Sequence, residues 1–164
     1  MPDTVHIKEV LRKDDPLLQD AEQLFGAMYE FMAGNGLKIQ LPPGGARKWI
    51  GNISKGLGRF GVLYVATLNG ITAGFAHGSI RLAPDYLGNV RVGVITHIFV
   101  REENREKGTG EKLVRALEAW FRKKEVHSIE LQVLVNNERG IAFWERLGYP
   151  PELLQCRKPG SKPE

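Results

Sequence analysis

Arg105, Gly108 and Gly110 stand in the run Arg105-Glu106-Lys107-Gly108-Thr109-Gly110-Glu111-Lys112-Leu113, which follows an apolar stretch and opens a helical pattern. The first amides of a helix have no partner inside it, and with the macrodipole they draw anions. Glycine at 108 and 110 lets main-chain N–H groups approach phosphate oxygens with no Cβ between them. Lys107, Lys112 and Arg115 can neutralise the charge. The chemistry implied is capture of a phosphorylated ligand by the backbone. The lysine and hydroxyl of a P-loop are missing, since no G-x-x-x-x-G-K-[ST] occurs, which argues against a nucleoside triphosphatase. Gly56-Leu57-Gly58-Arg59-Phe60-Gly61 has the spacing of a dinucleotide fingerprint. A helical pattern precedes it and a strand follows, the reverse of what that fingerprint needs, so it is read as a connection.

Proton transfer needs other side chains. His97 sits within the apolar stretch that leads to the glycines, and imidazole titrates near neutral pH. It is the first candidate general base, against the plainer role of a histidine bonded across a sheet. Glu130, which alternates with Gln132, is the second candidate and can equally face solvent. His77 is the third. Asp85-Tyr86 can touch a substrate or simply form a turn. The four histidines, at 6, 77, 97 and 127, have no metal-ligand spacing, so no metal is expected.

The elements that must carry these groups follow from periodicity. Val5–Leu11 reads as a strand. Leu17, Ala21, Leu24, Phe25, Met28, Phe31 and Met32 recur at helical spacing after Asp14-Asp15-Pro16, and the helix should end near Gly34-Asn35-Gly36. Ala46–Lys55 is a shorter helix. Val62–Leu68 and Ile71–Leu82 flank Asn69-Gly70, a hairpin signal. Val92–Val100 is a strand, Thr109–Lys124 a helix, Ser128–Val135 a strand and Glu138–Leu147 a helix. Glu152–Arg157 is expected to form a last strand. An α-rich start, a meander and then strand–helix–strand–helix predict an α/β or α+β mixed sheet with packed helices.

A chain of 164 residues fits one domain, here 1–157 with a frayed tail at 158–164. With 42% apolar and 26% charged residues it is an ordinary globular composition. The net charge of +4 is mild and scattered, so no nucleic acid is expected as a partner. No window approaches a membrane span, and the first residues lack the apolar core of a signal peptide. With one cysteine, Cys156, a cytoplasmic location is expected.

Arg105, Gly108 and Gly110 match [RQ]-x-x-G-x-[GA], the pyrophosphate signature of the GNAT acetyltransferase superfamily. Asn137 through Tyr149, "NERGIAFWERLGY", resembles that family's N-x-x-A-x-x-[FL]-Y-x-x-x-G-[FY]. The two patterns occur in order, separated by a helix and a strand. The resemblance implies a GNAT-like fold: a mostly antiparallel central sheet, splayed between its fourth and fifth strands, with helices on both faces. It implies acetyl-CoA as co-substrate and a primary amine as acceptor, attacked directly in a ternary complex. Backbone near Phe99 and Val100 would bond the pantetheine. Amides of Arg105, Glu106, Lys107, Gly108, Thr109 and Gly110 would hold the pyrophosphate. Asn137 would bond the pantetheine or the strand end, and Phe143 and Trp144 would lie against the cofactor. A monomer or homodimer is expected. The family usually has tyrosine where Trp144 stands, as an acid for the leaving thiolate, and an indole N–H is too weakly acidic for that. Water, Tyr149 or Cys156 would replace it. The alternative is a non-catalytic acyl-CoA sensor or scaffold, which Trp144 favours.

Overall fold

Adjacent apolar residues along Val62-Leu63-Tyr64-Val65-Ala66 cannot all share one face of a strand, because side chains alternate. Here both faces are covered. The computed structural model describes residues 2–161. It contains five strands, β1 (Val5–Val10), β2 (Gly61–Leu68), β3 (Ile71–Leu82), β4 (Arg91–Val100) and β5 (Ser128–Leu131), and four α-helices. The helices are α1 (Leu17–Gly34), α2 (Gly45–Ser54), α3 (Thr109–Lys123) and α4 (Glu138–Arg146). The strands lie in sequence order, antiparallel from β1 to β4, with β5 parallel to β4. This is the mixed sheet expected from the sequence. Asn69 and Gly70 both have positive φ, as a tight β2–β3 turn requires.

On one face, Leu63, Val65 and Phe75 pack against Leu18, Ala21, Leu24, Phe25 and Met28 of α1, with Trp49, Ile50 and Ile53 of α2 at the margin. On the other, Val62, Ala66, Ala76 and Ile95 pack against Leu113, Leu117, Trp120 and Phe121 of α3 and Trp144 of α4. Phe121 lies directly on the sheet because Gly78 and Gly93 leave room for it. A Cβ at either would come within 2.8 or 2.7 Å of its ring.

Two boundaries differ from expectation. β5 stops at Leu131 rather than Val135, because β4 diverges beyond Ile95 and offers no further ladder. Glu152–Arg157 is not a strand: residues 150–161 have no regular structure and are exposed. Leu153 and Leu154 are adjacent rather than alternating, and one side-chain bond, Gln132 Nε2 to Gln155 Oε1 at 3.2 Å, ties this segment back toward β5. Of the expected tail, 158–161 is exposed, and 162–164 lies outside the described residues.

Candidate active site

The divergence starts from one extra residue. His77 pairs with His97 and Gly78 with Ile95, so Thr96 of β4 has no opposite number. Such a bulge reverses which face each later side chain meets. Ile95 packs toward α3, as do Ile98 and Val100; Phe99 turns to the α1 side, and His97 reaches Phe25 there. β5 pairs with β4 only over Val92–Ile95, leaving a notch along Thr96–Val100. Arg101 N–H donates to Ala73 C=O at 2.8 Å. Strand alternation therefore turns the polar backbone groups of Val100 and Ile98 into the notch and those of Phe99 toward β3. This corrects the expectation for Phe99: its backbone serves the sheet, and Ile98 takes its place at the notch. Ile98 was missed because the bulge has no mark in the apolar run.

At the end of β4 the chain makes a short turn at Glu102–Asn104 and reaches the cradle. Glu106 has φ 64° and Gly108 φ 78°, the successive left-handed turns that aim amides inward. Among the described residues, the amides of Glu106 through Glu111 have no backbone acceptor; Lys112 N–H, donating to Gly108 C=O at 3.0 Å, is the first taken. A Cβ on Gly108 would meet nothing within 4 Å, whereas one on Gly110 would come 3.3 Å from Phe143 Cζ. The Thr109 side chain is 1% exposed, and its hydroxyl has no partner. A groove beside the helix start is lined by Ile7, Gly108, Glu111, Lys112 and Arg115.

Several of the charged side chains around the cradle are already occupied. Arg105 folds back, donating from Nε to Val100 C=O at 2.9 Å and lying over the Phe31 and Phe99 rings at 4.9 and 5.6 Å. Lys107 pairs with Asp3 at 3.0 Å, and Glu106 with Arg139 of α4 at 3.1 Å. The cradle is therefore mainly a backbone device.

Asn137 caps α4, its side-chain oxygen accepting from Gly140 N–H at 3.0 Å. Gly140 stands where the family pattern has alanine, and a Cβ there would overlap the Asn137 carboxamide. Trp144 is buried between Phe143 and Tyr149, edge-on to both at 5.0 and 5.3 Å. The Tyr149 hydroxyl donates to Glu118 Oε1 at 2.9 Å. Burial, then the bond to and charge of Glu118, push its phenol well above the ordinary value. The Tyr149 proton is thus held toward α3 rather than toward the cradle, which speaks against the acid role expected for it.

His97 faces Phe25, Trp49 and Tyr29, with ring centroids at 5.0, 5.4 and 6.5 Å. His77 lies beside it under Trp49 at 5.8 Å. The Thr96 hydroxyl sits between them, 2.6 Å from His77 Nδ1 and 3.0 Å from His97 Nδ1. Burial lowers both imidazoles from 6.5 to about 4, His97 adding to the effect on His77. Both are neutral near pH 7. Glu130 lies at the surface, its Oε1 accepting from Arg81 Nε at 2.9 Å and from a second guanidinium nitrogen at 2.8 Å, with both side chains about half exposed. Asp85 folds into its own short turn, accepting from Tyr86 N–H. Among the described residues no group of three or more His, Cys, Asp and Glu is placed to hold a metal, and no helix is long and apolar enough to cross a membrane.

The model of the acetyltransferase (GNAT) family matches residues 22–149. The chain belongs to the GNAT acetyltransferase family. The uncharacterized N-acetyltransferase YobR of Bacillus subtilis (strain 168) is 32% identical over 69 residues, covering 40% of this chain. The chain matches only 28% of that relative's length. Among solved structures, the aminoglycoside N-acetyltransferase AAC(6')-Iy in complex with CoA superposes with a TM-score of 0.74 at 18% identity over 95% of both chains. The ribosomal-protein-alanine N-acetyltransferase of Brucella melitensis biovar Abortus 2308 gives 0.66 at 17% identity, over 96% of this chain and all of that one. At those identities the likeness is one of fold.

Acetyl-CoA, the co-substrate that the GNAT fold implies, suits the residues present. Unpaired amides at 106–111, free space over Gly108 and an open β4 edge follow one another along the chain. Amides of this kind match a diphosphate, and an open strand edge matches an extended amide-bearing arm.

Proposed function

We propose that this GNAT chain transfers the acetyl group of acetyl-CoA to a primary amine by direct attack in a ternary complex. The observation that carries the reading is the uninterrupted run of unpartnered amides from Glu106 to Glu111, set at the end of the open β4 edge. The bound thioester supplies an activated acyl carbon with a thiolate leaving group. The cradle amides anchor the diphosphate. Val100 N–H and Ile98, facing the notch, orient the arm and provide a donor to the acyl oxygen. On the α1 side of the sheet, the partly buried His97 lies beside Phe25, Tyr29 and Trp49, and the acceptor amine would approach it from there. A neutral imidazole there can take the amine proton. Holding both reactants on a rigid strand accounts for much of the rate such a site can supply.

The family relatives act on chemically different amines by name, and the aromatic wall favours an acceptor with an apolar body. A cytoplasmic location fits the lone cysteine, and one domain, 1–157, acting as a monomer or homodimer completes the reading. A thiol-release assay with acetyl-CoA against a mixed amine library, with products read by mass, tests the reading. Release of CoA with a product 42 Da heavier than one amine is expected (roughly the mass of an acetyl group less one proton, by the direct-attack scheme). Trp144 in the tyrosine position, with Tyr149 tied to Glu118, favours a second reading, a non-catalytic acyl-CoA sensor. That reading requires thermal stabilisation by acetyl-CoA with no product in the same library.

A further inference from the structure

The Thr96 hydroxyl has three partners and one proton. His77 C=O lies 3.1 Å away, His77 Nδ1 2.6 Å and His97 Nδ1 3.0 Å. A carbonyl oxygen can only accept, so the hydroxyl proton goes there. The two lone pairs that remain then accept from the two imidazoles. Only this arrangement satisfies all three contacts, and it requires a proton on Nδ1 of both rings; because burial keeps the rings neutral, each Nε2 is then left with its lone pair.

From this geometry we propose that Thr96, the bulge residue of β4, is a positioning residue that locks His97 in the Nδ1–H tautomer and so presents its Nε2 lone pair to the acceptor amine. The inference rests on the acetyltransferase reading above. The Nδ1–H form is the less populated tautomer of histidine free in water, so a specific acceptor on Nδ1 is needed to hold it. Thr96 can do this for His97 only because the bulge leaves its own side chain between β3 and the acceptor side. His77 cannot replace His97: it is 6% exposed, and its Nε2 lies 3.1 Å from where a Cβ on Gly61 would be. His97 instead is only partly buried and lies against the rings of Phe25, Tyr29 and Trp49 on the α1 side of the sheet.

In the step, an amine N–H bond breaks with its electron pair left on nitrogen, and the proton passes to His97 Nε2. The resulting imidazolium still donates from Nδ1 to Thr96 Oγ1, now as a charge-assisted bond. The titratable groups facing this ring are His77 from β3 and Tyr29 from α1; α2 presents Trp49. Low proton affinity in the buried ring keeps the lone pair free across the neutral range.

Two readouts test the inference. Nitrogen-15 NMR of labelled histidine near neutral pH reports tautomers without any turnover. Wild type and Thr96→Ser should show His77 and His97 as Nδ1–H, and Thr96→Val should move His97 to Nε2–H. Nε2–H rings in wild type, or tautomers unchanged in Thr96→Val, would overturn the proposal even if the enzyme is active. With an acceptor from the amine library, Thr96→Val should lower kcat/KM by ~10–100-fold near neutral pH, the scale of lost general-base catalysis. The loss should shrink at alkaline pH as the amine deprotonates by itself, with acetyl-CoA affinity unchanged and Thr96→Ser close to wild type. A tautomer change with an unaltered pH profile would overturn the catalytic part. If Thr96→Val does not fold, the wild-type and Thr96→Ser spectra still decide the tautomer. Locked tautomers in a protein that acetylates nothing would sink the acetyltransferase reading and, with it, the role given to His97.

Discussion

The Tyr149 hydroxyl donates to Glu118 Oε1 at 2.9 Å, and Glu118 Oε2 accepts from Arg115 at 2.9 Å, so a phenol on the far side of α4 is tied into the charged face of α3. Tyr149→Phe removes one hydrogen bond to a charged, partly solvated acceptor that keeps Arg115. A loss of about 1 kcal/mol is expected, at the low end for such bonds. Denaturant unfolding measures it. Acetyl transfer should change by less than about threefold; a drop of ~100-fold, the scale for removing a general acid, would restore Tyr149 to the chemistry.

Glu130 carries a parallel expectation. Its ion pair with Arg81 spans β4 from β3 to β5, and both side chains are about half exposed. Exposed pairs contribute ~0–1 kcal/mol. Glu130→Gln should therefore shift Tm by only a few degrees, less in high salt, and leave kcat/KM near wild type. A large loss of turnover with an intact fold would identify a base that the ion pair conceals.

The buried histidine pair should make the protein acid-sensitive. An unfolded chain protonates His77 and His97 near 6.5, whereas the folded chain resists until about 4. Between those values the unfolded state binds more protons, so stability falls as pH drops from 6.5 to 4 and is level above 6.5. A tenfold difference in proton affinity corresponds to ~1.4 kcal/mol, giving a loss on the order of 3 kcal/mol per ring at most. Denaturant titrations across this range check the sign. His77→Gln, which keeps a polar side chain but cannot titrate, should remove about half of the slope; an identical slope would place its cause elsewhere.

The local features of the site were readable because their residues are neighbours in sequence. Glu106, Gly108 and Gly110 lie within a few positions, and their amides need nothing remote to be free. The order of strands and helices was equally plain, since helical and strand periods alternate along the chain. The bulge at Thr96 was not. In Val94-Ile95-Thr96-His97-Ile98-Phe99-Val100 both faces are covered, so no alternation marks a change of side. Only the register against β3 shows that His97 faces away from Ile98 and toward Trp49. The Arg81–Glu130 and Tyr149–Glu118 contacts join distant segments for which composition gives no pairing. Glu152–Arg157 failed for a related reason: strand-like composition does not form a strand without a ladder partner.

The cradle itself is tested by contrasting its two glycines. Gly108 has φ 78°, and a Cβ there would meet no atom within 4 Å. Gly108→Ala therefore costs only the left-handed strain, ~1–2 kcal/mol. The methyl group, however, would stand in the space through which the Glu106–Glu111 amides reach a ligand. Gly110→Ala is the reverse case. Its Cβ would press on the tip of Phe143 at 3.3 Å, a small cost set against the ~1 kcal/mol that alanine gains over glycine within a helix. Calorimetric titration with CoA should show Gly108→Ala weakened by more than ~10-fold, about 1.4 kcal/mol of binding, and Gly110→Ala within ~3-fold of wild type. Equal affinity for Gly108→Ala and wild type would mean that the diphosphate is held somewhere other than on these amides.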